Sequence, residues 1–86
     1  MYELVIDVLE ELGLHWKCIG GHLITHGNHG TIELVPLTMV GRRWLAYATD
    51  EGDHVGTKAL QPMSGDESRD RETIRGIISN IQGRLT

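Results

Sequence analysis

Between Tyr2 and Leu12 the apolar side chains return every three or four positions. Val5, Val8, Leu9 and Leu12 fall at i, i+3, i+4 and i+7, with Ile6 beside them, the spacing of one helix face. Glu3, Asp7, Glu10 and Glu11 fill the other side. Gly13 follows as a C-terminal cap that takes positive φ without steric penalty, and Leu14 is placed to fold back on the last turn. From His15 the period drops to two. His15–Ile19 reads as a strand, Gly20-Gly21 as a turn or bulge, and His22–His26 as its partner. Gly27-Asn28-His29-Gly30 is a turn signal, because Gly and Asn tolerate left-handed backbone. In Thr31–Val35, a third strand, Ile32 and Leu34 alternate with Thr31 and Glu33, and Pro36 ends the ladder or marks an edge. Arg43–Ala48 makes a fourth, with Trp44 and Ala46 alternating against Leu45 and Tyr47.

Thr49–Gly65 supports two readings: a turn at Asp50-Glu51-Gly52-Asp53 with His54–Leu60 returning as a fifth strand, or a flexible loop or insertion over 49–65. Ser64 or Ser68 can then cap a final helix near 70–85. Asp66, Glu67, Asp70 and Glu72 sit near its start, where the helix dipole favours negative charge. Ile74, Ile77, Ile78, Ile81 and Leu85 form its apolar stripe, with Arg75 and Arg84 off it. The order is α-β-β-β-(β)-α. Each helix has one apolar face to cover, which predicts a two-layer α+β fold with both helices on one face of an antiparallel sheet. The other sheet face is then open to solvent or to a ligand.

At 86 residues one domain is expected, with a thin core. There is no Phe, so Trp16, Trp44 and the aliphatics are expected to fill that core. Cys18 is the only cysteine, which rules out an internal disulfide and fits a reducing, cytoplasmic setting. Met1–Leu12 carries four acids and no base, unlike a signal peptide, and no apolar run approaches the ~20 residues of a membrane span. The net charge of −4 argues against tight, non-specific nucleic-acid binding.

Several short motifs occur in a suggestive order. The first helix ends Leu9-Glu10-Glu11-Leu12-Gly13 and is followed by Trp16; Gly20-Gly21-His22 follows the first strand; Val35-Pro36 follows the third; and the last helix carries Thr73-Ile74-Arg75-Gly76-Ile77-Ile78. This pattern resembles the HicA-type mRNA interferase toxins, which have a fold like the double-stranded-RNA-binding domain. The resemblance covers roughly 5–36 and 72–85, and 37–70 reads as an insertion. It departs from the family at Gly21, where Ser is usual, at Leu23, where a second His is frequent, and in its acidic charge.

The resemblance implies a metal-free endoribonuclease with His22 as general acid/base, no cofactor, RNA as substrate and a cognate antitoxin as partner. The chemistry suits histidine, which exchanges protons near neutral pH. Strand alternation puts His22 and His26 on one face and Leu23 and Thr25 on the other. Lys17, His26, Arg42, Arg43 and Arg75 are the candidate RNA contacts, and Arg42-Arg43 beside Trp44 could stack on bases or instead mark an edge strand with a core tryptophan. The bland alternative makes His22 a surface histidine. A zinc site from Cys18, His22, His26 and His29 is not expected, since residues four apart on a strand are separated by roughly 13 Å. The competing function is a small non-enzymatic interaction protein or inhibitor, of the phage-encoded kind. It would dock an acidic face, built from the first-helix acids with Asp50, Glu51 and Asp53, on a protein partner.

Overall fold

The two helical patterns and the period-two stretch between them become one sheet flanked by two helices. The computed structural model describes residues 1–27, 29–52 and 56–85, with 84 and 85 as backbone only. Helix α1 (Tyr2–Glu11) precedes strands β1 (Trp16–Ile19), β2 (His22–His26), β3 (Thr31–Met39), β4 (Arg42–Asp50) and β5 (Lys58–Pro62), and helix α2 (Glu67–Leu85) closes the chain. The strands pair in chain order, all antiparallel.

Side-chain alternation divides the sheet into two unlike faces. Leu23, Ile32, Leu34 and Leu45 point to one side and are buried together with Val5, Val8 and Leu9 of α1 and Ile74, Ile78 and Ile81 of α2. Both helices therefore cover the same sheet face, and the fold is a two-layer α+β arrangement. Leu12 and Ile77, expected in the core, pack against its margin and are only partly buried. Thr25, also buried, donates from Oγ1 to the His15 carbonyl at 2.7 Å, so no polar group is stranded there.

The first helix ends as its sequence predicts. Gly13 has φ +71°, its N–H donates to the Glu10 carbonyl, and the Leu14 N–H reaches back to Leu9. This is the Schellman arrangement, and it places Leu14 against the core. The second helix starts differently from expectation. Asp66, rather than Ser64 or Ser68, is the cap: its Oδ1 accepts from the N–H groups of Ser68 and Arg69 at 3.0 and 3.2 Å. Ser64 instead donates through both N–H and Oγ to Asp70, each at 2.7 Å, and the Gly65 N–H adds a third bond at 3.1 Å. Burial pushes the Asp70 carboxyl up, but these donors and the nearby Arg43 charge outweigh it and hold Asp70 below the usual aspartate range.

Further expectations are refined or corrected. Of the two readings of Pro36 the edge position is the one observed: β3 continues past it to Met39. Its ladder with β2 stops at Leu34, so Pro36 lies where β3 has a neighbour only on the β4 side and a missing N–H is tolerated. The β3–β4 hairpin turns at Val40-Gly41, with φ +51° and +70°. A fifth strand does return along β4, over Lys58–Pro62; the expected start at His54 lies outside the described residues. Trp44 is not a core residue: it is half-buried on the uncovered face, while Trp16 packs at the core margin. No helix among the described residues is long and apolar enough to cross a membrane.

Candidate functional site

The uncovered face of the sheet is where the sequence-predicted site residues can be compared. Antiparallel partners point to the same side, so the register assigns each side chain to a face. Lys17, Ile24, Glu33, Ala48 and Lys58 form one row across all five strands. Ile19 and His22 form the neighbouring row, with Ala46 opposite Val35 on β3 and Leu60 on β5. Leu37, Trp44 and Pro62 make a third row, and Met39 pairs with Arg42 next to the hairpin turn.

His22 does not stand free on this face. Its Nδ1 is hydrogen-bonded to Oε1 of Glu33, and both side chains are about half exposed. The β1–β2 turn beneath it is held by Tyr2, whose hydroxyl donates to the Gly21 carbonyl at 2.6 Å. A Cβ at Gly21 would sit 3.3 Å from that hydroxyl and would have to take positive φ, so a side chain there would be strained.

The predicted RNA contacts scatter. Lys17 and His26 share the His22 face, and His26 pairs with Thr31 at its far end. Arg42 shares it as well, but roughly 13 Å along β4 from the row of His22, and its guanidinium carbon lies 5.5 Å from the Trp44 ring centroid in a cation–π contact. Arg43 points to the helix side of the sheet. Arg75 belongs to the helical layer. It donates to Glu11 at 2.6 Å and lies 3.6 Å from Glu72, while Arg71 pairs with Glu11 at 2.8 Å and Asp7 at 3.7 Å. The hydrogen bond from Arg75 leads the causes that hold Glu11 below its ordinary value, and Glu11 raises Arg75 in return. Two of the four acids on α1 are thus partnered within the fold, and its acidic face is interrupted; Asp53 lies outside the described residues.

The remaining surface of the face is apolar. Ile19 is 61% exposed and Leu60 46%, with Leu37 and Met39 also exposed. Ala46 and Ala48 floor a shallow trough walled by Glu33 and Val35 on β3 and by Lys58 on β5. Cys18 points away from His22 and His26, and no group of three metal-ligating side chains is gathered among the described residues. Sequence reasoning missed Glu33, Lys58 and Leu60 as site residues. The signal for Glu33 was available, because a hairpin closed at Gly27–Gly30 sets Ile24 opposite Glu33 and so brings it beside His22. No family model matches the chain, and neither curated proteins nor solved structures include a match.

Proposed function

We propose that this chain is a non-enzymatic interaction protein that docks on a protein partner through the open face of its sheet. The observation that carries the reading is the apolar surface of that face, with Ile19, Leu37, Met39 and Leu60 all at least a third exposed. Exposed apolar side chains gathered on one sheet face offer a surface that another protein can cover. The charges on the face are mixed rather than basic: Lys17, Arg42 and Lys58 stand with Glu33 and Asp50. A polyanion would meet carboxylates there, including the one bonded to His22. The sheet face replaces the α1 acids as the docking surface, since Asp7 and Glu11 are engaged by arginines of α2.

The test is a photo-crosslinking amino acid placed at Leu60 in cells, with Ser79 on exposed α2 as the control position. A discrete protein adduct from position 60 and none from position 79 is expected. Adducts equal at both positions would remove the reading.

One observation favours the RNA-directed, HicA-like alternative. A carboxylate on Nδ1 of a histidine orients the imidazole, as in acid–base sites, and leaves Nε2 for proton transfer. Against it, His26 lies roughly 13 Å along the strand, too far to act on the same phosphate. Wild type and His22→Ala expressed in cells, read by growth and transcript integrity, separate the two. RNA cleavage lost in His22→Ala would replace the interaction reading, and intact RNA with equal growth in both would leave it standing.

A further inference from the structure

The open face has a shape and a charge pattern that complement themselves. Small side chains, Ala46 and Ala48, run down β4 as a trough. On one rim stands Glu33 of β3, and on the other Lys58 of β5, in the same cross-strand row. Leu60 rises beside Ala46 and is 46% exposed. A carboxylate and an ammonium on opposite rims of one trough are what a two-fold interface needs, because residue i of one copy meets residue j of the other and the reverse contact follows by symmetry.

We infer that the β4–β5 part of the open face packs sheet on sheet against a second copy of this chain. This rests on the interaction reading above and names its occupant. A two-fold axis running along the strands between β4 and β5 lays β5 of each copy over the trough of the other. Leu60 then enters the second copy's trough at Ala46, and Lys58 reaches the second copy's Glu33, twice per dimer. The near-aligned strands match the usual packing of two sheets about 10 Å apart. With the axis between β4 and β5, β5 of each copy lies over β4 of the other and β1–β3 stay outside the overlap, so two strands at about 4.8 Å spacing, about five residues long, offer roughly 160 Å² in projection. That is far below the ~800 Å² per partner of a standard interface, so the dimer is a weak, reversible one.

Charge reversal tests the pairing in a way that a structural role cannot imitate. Sedimentation equilibrium of the full chain should show a concentration-dependent monomer–dimer equilibrium. Glu33→Lys alone and Lys58→Glu alone each set like charges across the two-fold and should weaken dimerisation at least tenfold. An equimolar mixture of the two variants restores opposite charges at both contacts and should dimerise again. Ala46→Glu fills the trough without touching the ion pairs; it should also give monomers, and it serves as the test if Glu33→Lys perturbs folding by circular dichroism. A wild type that stays monomeric up to its solubility limit overturns the inference. So do variants that dimerise like wild type, or a mixture of folded variants that does not associate. A monomeric wild type that still crosslinks a different protein from position 60 overturns only the identity of the partner. Absence of both dimer and adduct removes the interaction reading with it.

Discussion

Asp70 shows how one side chain can organise a segment that its neighbours in sequence leave undefined. It is 6% exposed and accepts three hydrogen bonds from Ser64 and Gly65, closing the link between β5 and α2. A carboxylate bonded by several donors is charge-assisted, and removing one such partner costs about 1–3 kcal/mol. Asp70→Asn keeps the shape but loses the charge and turns one acceptor into a donor facing other donors. It should lower stability by about 1–3 kcal/mol in urea unfolding at neutral pH. The pH dependence carries a second signature. The folded carboxyl sits below its ordinary value of 3.8, so the unfolded chain binds the proton more readily. Its stabilisation is therefore fully present above about that pH, and it is lost as pH falls through the lower, folded value. The wild type should lose its advantage over Asp70→Asn between pH 4 and the acid limit; a constant difference across that range would show that the charge is not what matters. Sequence reading placed Asp70 near the helix start as a favourable dipole charge, since burial of a carboxylate is not visible in spacing.

At the scale of elements, the helices were legible and the β3–β4 hairpin was not. Apolar residues at i, i+3 and i+4 and the Gly13 cap specified α1 almost to the residue. Leu37 to Arg42 carries no strand signal in the sequence, for two physical reasons. Pro36 is a poor strand residue, and its tolerance depends on β2 having ended, which is a tertiary fact. The turn has positive φ at both central residues, the type I′ signature, yet its first position is Val40, a β-branched residue that left-handed backbone disfavours. Val40 is fully exposed, so no buried contact offsets the strain. Left-handed backbone costs an ordinary L-residue roughly 1–2 kcal/mol, and Asn tolerates it far better. Val40→Asn creates the Asn-Gly pair preferred in two-residue hairpins and should stabilise the protein by about 1 kcal/mol. Urea denaturation reads this directly, and a destabilised variant would contradict the turn geometry.

For the molecule as a whole, net charge was a poor guide because charge is unevenly distributed. Acids on α1 and at the start of α2 face arginines of α2, while the open sheet face holds both signs. Composition sums over these regions and cannot separate them. The candidate site was partly legible for the same reason: period-two alternation placed His22 on the open face, but pairing across strands decided that its neighbour is Glu33 and not an arginine. The two-layer architecture has a simple consequence that a pair of substitutions can read. Leu45 and Leu60 sit on adjacent strands one register step apart, on opposite sides of the sheet. Leu45 is fully buried beneath the helices, and Leu60 is 46% exposed. An aspartate at position 45 places an unpaired carboxylate in the only core cluster of the described residues. Unpaired buried charge costs several kcal/mol, comparable with the whole stability of a chain this size, at roughly 0.05–0.15 kcal/mol per residue. Leu45→Asp should therefore be unfolded or nearly so by circular dichroism. Leu60→Asp, measured at dilute protein where self-association is negligible, should change stability by no more than about 0.5 kcal/mol. An unfolded Leu60→Asp would mean that the second face is covered from within the chain, and a well-folded Leu45→Asp would mean that the helices do not cover the first.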